Sequence, residues 1–219
     1  GGSGTSRHLD SMLGALQNFG EDRLRLVHRL DKDTSGVMLL AKNVAAATHL
    51  GISFRSRVAV KLYWGVTVGI PSPINGQIKL SLSKEKSRGG ERIIAESPHG
   101  KRAETRYRVL ETVGEKLAFV ALMPTTGRTH QLRVHMASIG TPILGDGKYG
   151  GKASFIDEIK MASQLHLHAR RISVPHPSGR GILDLSADLP EHMARTFRHV
   201  GLDAAPEDDP FDAFSEFKG

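Results

Sequence analysis

His28-Arg29-Leu30-Asp31-Lys32-Asp33-Thr34-Ser35-Gly36 runs directly into Val37-Met38-Leu39-Leu40-Ala41. The first segment sets an aspartate between cations and follows it with a turn. The second is apolar and, with Lys42, reads as a buried strand. A carboxylate kept ionised by nearby positive charge, at the mouth of a buried strand, is what a nucleophile or general base needs. The same residues also suit a solvated turn built on Asp31 and Asp33. Alone, the segment favours that plainer reading. A second basic block about a hundred residues later reverses it.

That block is Thr126-Gly127-Arg128-Thr129-His130-Gln131-Leu132-Arg133-Val134-His135. Two further pieces complete the set, Lys61-Leu62-Tyr63 and Gly145-Asp146-Gly147-Lys148-Tyr149-Gly150. In order, the four resemble the signature of the RluA-type pseudouridine synthases: H-R-L-D-x-x-T-S-G, K-x-Y, G-R-T-H-Q-[LIV]-R-x-H and G-D-x-x-Y. The likeness continues into Leu167-His168-Ala169 and His176-Pro177. Four ordered motifs between residues 28 and 150 carry far more than any one alone.

The chain has 219 residues, enough for one sizeable core or two small ones, and 39% of them are apolar. No run approaches the roughly 20 apolar residues of a membrane span, and no signal peptide is visible. There is no cysteine, hence no disulfide, zinc–thiolate site or thiol nucleophile. Net charge is +7 and unevenly placed. Residues 201–219 hold six acidic residues against Lys218, a net −5, which leaves +12 on residues 1–200. A basic body favours a polyanionic partner, with affinity that falls as salt rises.

Residues 1–6 read as a linker or an expression scar. Residues 8–19 have helical apolar spacing (Leu9, Met12, Leu13, Leu16). Asn43 is placed to cap a helix over Val44 to Arg57, and Val58 to Val68 reads as a strand. Pro71-Ser72-Pro73 and Asn75-Gly76 are turn signals. The basic stretch 81–103 reads as an exposed loop or hairpin, either a connector or a phosphate-contacting arm. Ala103 to Val109 and Leu117 to Met123 are predicted strands. His130 to Ser138 is a predicted helix ended by Ile139-Gly140. Leu165 to Val174 and Ile182 to Leu185 form a second predicted pair, and Pro190 to His199 a last helix. The division expected is a catalytic domain over residues 1–200 and a loosely held acidic tail over 201–219. Hairpins as frequent as helices argue an α+β fold with a mixed, mainly antiparallel sheet. The resemblance implies the same fold: a central bent sheet flanked by helices, crossed by an RNA cleft. It also implies a catalytic domain that starts late, since many relatives carry an S4-type RNA-binding domain ahead of it.

The chemistry implied is isomerisation of uridine to pseudouridine in RNA. It involves no redox step, so no cofactor or metal is expected. By match to the family's motif, Asp31 is the catalytic carboxylate; the residues alone do not choose it over Asp33. Attack on the sugar, attack on the base and abstraction of a sugar proton all stay open to it. Arg133 matches the basic residue that pairs with that aspartate, where a guanidinium within ~4–6 Å would favour the ionised form. Tyr63 matches the active-site tyrosine that stacks on the target base. Arg29 matches the residue that fills the gap left when the uridine is flipped out. Leu132, Arg128 and His130, with Thr129, are expected at the pocket or on the RNA backbone. Against each stands a plainer role: a core position for Tyr63 and Leu132, phosphate or surface contact for the arginines.

His130 and His135 are five apart, which does not place two metal ligands on one helix face, and His166 and His168 have no third ligand near in sequence. Neither Gly1-Gly2-Ser3-Gly4-Thr5 nor Gly89-Gly90 ends in the Gly-Lys-Ser/Thr of a phosphate loop. A basic RNA-binding module without catalysis is disfavoured by an aromatic content of only 5% and by the presence of Asp31, Tyr63 and Arg133 together. A hydrolase would need a second carboxylate, and the motifs offer only Asp146. The opening glycine-rich stretch and short helix are most similar to the RluC-like branch, which points to large-subunit (23S) ribosomal RNA, with tRNA as the alternative substrate. A cytoplasmic monomer, with no membrane association, completes the expectation.

Overall fold

The structure, a computed structural model, describes Leu13 and residues 23–87, 90–159 and 163–203. The helix expected over 8–19 lies outside these apart from Leu13, which is buried, and so does the tail beyond residue 203.

The order is β1 (Arg25–Leu26), β2 (Ser35–Gly36), β3 (Leu40–Ala41), α1 (Val44–Arg55), β4 (Val60–Val68), β5 (Asn75–Ser87), β6 (Gly90–Ile94), β7 (Lys101–Val113), β8 (Leu117–Pro124), α2 (Gln131–Ser138), β9 (Leu167–Pro175), β10 (Ile182–Ser186) and α3 (Glu191–Val200). The main sheet runs β10-β9-β4-β8-β7-β5-β6 with antiparallel neighbours throughout, and β2 adds a parallel pairing to β9. The fold is therefore α+β with a mixed, mainly antiparallel sheet, as expected. Among the described residues no helix is long and apolar enough to cross a membrane.

Alternation along β4 and β8 sends side chains to both faces. Trp64, Val66 and Phe119 meet Met193 and Phe197 of α3 on one face. Val120 and Leu122 meet Leu132 and Met136 of α2 on the other. Trp64, Phe119 and Phe197 pack edge to face at centroid separations of 5.2 and 5.0 Å. Leu202, assigned by sequence to the tail, joins this core just after Gly201 caps α3.

Asn43 caps α1 as expected, its Oδ1 accepting from Ala46 N–H at 2.8 Å. The helix stops at Arg55 rather than Arg57, because Ser56 Oγ donates back to the Ile52 carbonyl and Arg57 turns to φ 63°. The basic stretch 81–103 is in large part a hairpin, β5 with β6.

Two expectations fail. The apolar run 37–42 is not one strand. Ser35–Gly36 pairs with β9, and only Leu40–Ala41 then pairs, with β1. Between them Leu39 N–H is taken by the His28 side chain at 2.8 Å, which ends the ladder. Gly36 lies so close to β9 that a Cβ there would sit 2.3 Å from the Ala169 carbonyl oxygen, so only glycine fits. Asn75-Gly76 is not a turn but the start of β5; Gly76 is small because the Tyr107 ring lies against it.

Candidate active site

β2 pairs with β9 on the edge that β10 also uses, which sets the Asp31 turn against β9. Thr34 N–H closes that turn on the Asp31 carbonyl at 3.0 Å. Ser35 Oγ and His168 Nδ1, 2.9 Å apart, fasten it to β9. His168 Nε2 faces the Ala187 carbonyl, which only accepts, so Nδ1 is the acceptor for the Ser35 hydroxyl. The turn is thus held by backbone and by β9, while Asp33 stands exposed instead of bracing it. Asp31 is left available: among the described residues no hydrogen bond engages its carboxylate, and the nearest polar side-chain contact it has is His130 Nε2 at 4.0 Å, on a ring whose pKa burial lowers.

The pairing of β4 with β9 steps from Leu62–Arg171 to Tyr63–Ala169, so a bulge at Arg170 of β9 lies beside this turn. Bulges re-aim side chains next to functional sites. Tyr63 faces a cleft of about 720 Å³ that is also lined by Arg29, Asp31, Arg128, Leu132 and Arg133. Burial, and then the charge on Asp31, raises the Tyr63 pKa, so its hydroxyl keeps its proton. Leu132 and Leu167 supply apolar wall.

Arg133 was expected to pair with Asp31; it pairs with Asp146. Its Nε donates to Asp146 Oδ2 at 2.9 Å and its terminal nitrogen to Oδ1 at 2.7 Å, with both side chains buried. The helical start of α2 directs Arg133 toward the Gly145–Gly150 loop, whose Tyr149 N–H also donates to Asp146. Burial alone would lower the Arg133 pKa, but the Asp146 hydrogen bonds and charge, with smaller help from Tyr149 and Asp31, hold it above the ordinary value. Asp31 therefore acts on Arg133 through space.

His130 does not reach the cleft wall. It lines a neighbouring cavity of about 850 Å³ with Lys32 and Lys148, and Thr34 and Arg133 line both spaces. The Asp31–Thr34 turn and Arg133 thus divide two basic hollows.

Sequence reasoning gave Lys61 no role. It stands two residues from Tyr63 on a strand, hence on the same face, and lines the cleft. Burial lowers its pKa. His28 is pushed down to about 4 by burial and then by Lys61, and is neutral. It accepts from Leu39 N–H and stacks on Phe54 at 4.7 Å, a structural use. The i, i+2 spacing in Lys61-Leu62-Tyr63 was the signal available for Lys61. In all, the cleft wall carries Arg29, Arg57, Lys61, Arg102, Arg128 and Arg133 against Asp31 and Glu104. Arg102 engages Glu104 at 2.8 Å. The hollow is net cationic and suits an anionic ligand. Among the described residues no three His, Asp or Glu side chains are grouped as metal ligands would be.

Comparison with known proteins agrees with this arrangement. Residues 3–138 match the RNA pseudouridylate synthase family. The ribosomal large subunit pseudouridine synthase C of Rickettsia typhi is 37% identical over 195 residues, which cover 89% of this chain and 63% of that protein. The protein of the same name from Vibrio cholerae is 36% identical, over 87% of this chain and 62% of that one. The dual-specificity RNA pseudouridine synthase RluA of Salmonella typhi is 38% identical, over 78% and 75%. The chain thus spans less than two thirds of the length of the synthase C relatives. Among solved structures, human RNA pseudouridylate synthase domain containing 4 superposes with a TM-score of 0.73 at 30% identity, covering 91% of this chain and 85% of that one. With the fold, the ordered motifs and these relatives in agreement, the chain belongs to the RNA pseudouridylate synthase family, in its RluA-type group, and is similar to synthase C and RluA members alike.

Proposed function

We propose that this chain isomerises uridine to pseudouridine in large-subunit ribosomal RNA, with Asp31 as the catalytic carboxylate. The observation that carries the reading is an Asp31 carboxylate that, among the described residues, takes no hydrogen bond, at the wall of a cationic cleft it shares with Tyr63 and Arg133. In the reaction the N1–C1′ bond of the uridine breaks, the base turns, and a C5–C1′ bond forms. C5 loses its proton and N1, freed from the sugar, gains one, so atoms balance with no oxidant or reductant. Tyr63, protonated and set in the wall, is placed to stack on the base, with Leu132 beside it. Arg29 and Arg128, at the rim, are placed to hold phosphate or fill the stack vacated by a flipped nucleotide. We infer a cytoplasmic monomer acting on RNA. The names of the synthase C relatives support ribosomal RNA as the substrate class.

The test is tritium release from RNA labelled at uridine C5, offered as unmodified large-subunit ribosomal RNA or as bulk tRNA. Release from ribosomal RNA by the parent, with none by Asp31→Ala, is expected. Release only from tRNA would replace the substrate. Equal release by parent and variant would remove Asp31 from the chemistry.

A further inference from the structure

We infer that His130, held in one tautomer by Tyr149, is the residue that positions Asp31 for catalysis; the inference rests on the synthase reading above. His130 Nδ1 lies 2.6 Å from the Tyr149 hydroxyl. That hydroxyl already accepts from Ile93 N–H of β6 at 3.2 Å. A phenol that accepts from one side has its own proton to give to the other, so Tyr149 donates to Nδ1. The imidazole proton then sits on Nε2, the atom 4.0 Å from Asp31 Oδ1. The opposite tautomer would turn a lone pair toward a carboxylate. A directed chain results: Ile93 N–H to Tyr149, Tyr149 to His130, and His130 toward Asp31.

Three independent features agree. His130 has φ 51°, a left-handed conformation costly for a residue with a Cβ, and it stands at the N-cap of α2 without capping it. Its side chain is committed to Tyr149 instead. Tyr149 is itself over-determined, with the Arg133 guanidinium 5.1 Å from its ring centre and its loop tied to β6 by Lys148 Nζ donating to the Glu91 carbonyl at 2.7 Å. Finally, burial is the chief influence lowering the His130 pKa, with Arg133 and Lys148 adding to it against Asp31 and Asp146, so the neutral ring that a fixed tautomer requires prevails. An aspartate that takes no hydrogen bond among the described residues has many rotamers open to it; an N–H aimed from His130 narrows them as the carboxylate meets the substrate.

The experiment measures single-turnover conversion of C5-tritiated ribosomal RNA and RNA affinity in parallel. His130→Ala is expected to slow the chemical step about tenfold to a hundredfold, with RNA Kd changed by less than about threefold. His130→Gln, whose amide nitrogen can stand where Nε2 stands, is expected to regain most of the rate. Tyr149→Phe is expected to slow the step, and to add nothing in the His130→Ala background. The proposal is overturned if His130→Ala converts at the parental rate, if His130→Gln is no better than His130→Ala, or if the loss lies in Kd alone. Side-chain nitrogen NMR of His130 decides it without catalysis. A protonated Nε2 and bare Nδ1 are expected in the parent, and the reverse tautomer sinks the idea. A parent that converts no RNA yet shows the expected tautomer counts against the synthase reading, not against the His130–Tyr149 geometry.

Discussion

Arg133 donates two hydrogen bonds to Asp146, with side chains only 7% and 0% exposed, so neither charge has water to fall back on. Removing one partner strands the other, and Asp146→Ala is expected to cost about 3–5 kcal/mol in a urea melt. The paired apolar replacement, Arg133→Met with Asp146→Leu, is expected to recover most of that loss while abolishing conversion of RNA. A single variant that melts like the parent would show that the pair is not shielded. The motifs were sufficient to bring Asp31, Tyr63, Leu132, Arg133, Arg29 and Arg128 to one cleft. They were not sufficient to say what Arg133 bonds. Asp146 lies thirteen residues on, past the end of α2, and its place depends on how the Gly145–Gly150 loop folds back, which no local pattern states. The sequence likewise did not say that His130, expected at the pocket or on the RNA backbone, would bond Tyr149: its left-handed backbone turns the side chain that way, and no local pattern states that φ.

The hairpin of β5 and β6 carries Lys84, Lys86 and Arg92 as exposed cations. Lys84 touches Glu91, but an exposed pair of this kind contributes little to stability. Alanine at Lys84 and Lys86 is therefore expected to leave the melting transition within about 0.5 kcal/mol per site. If RNA follows the hairpin, the same change weakens RNA binding and flattens the slope of log affinity against log salt by about 0.7 for each phosphate no longer neutralised. An unchanged slope would make the hairpin a connector. Elements with a local signal were legible: α1 from its Asn43 cap, β8 from continuous burial, α3 from its amphipathic repeat. The strand expected at 37–42 was not, because its pairing is decided by distant groups, His28 at one end and Ala169 at the other. Asn75-Gly76 misled in the same way, since the glycine answers to a tyrosine ring thirty-one residues away rather than to a turn.

Buried histidines set how the fold as a unit responds to acid. His28, His135 and His166 are each pushed down to about 4, with burial the leading cause in every case. In the unfolded chain the same rings titrate near 6.5. Between these values the unfolded chain takes up protons that the native chain refuses, so stability is full above pH 6.5 and falls as the pH drops toward 4. Each ring contributes up to about 3 kcal/mol of that loss, and three together approach the ~5–15 kcal/mol that holds a domain folded. Burial, helped by His192, keeps His166 neutral against the opposing pull of the Gln164 carbonyl on Nδ1, and its Nε2 stands 2.8 Å from Thr196 of α3, so acid is expected to loosen α3 from the sheet. Among the described residues His135 has no hydrogen-bond partner on either ring nitrogen, and it is fully buried in α2. It gives the cleanest test, because replacing it removes a titration without breaking a bond. Urea melts of the parent are expected to lose several kcal/mol between pH 7.5 and 5. His135→Leu, close in volume, is expected to lose measurably less over the same range. Parallel pH dependences in the two proteins would mean that His135 gains water or a proton acceptor in the native state, and that acid acts on the fold through the other two rings.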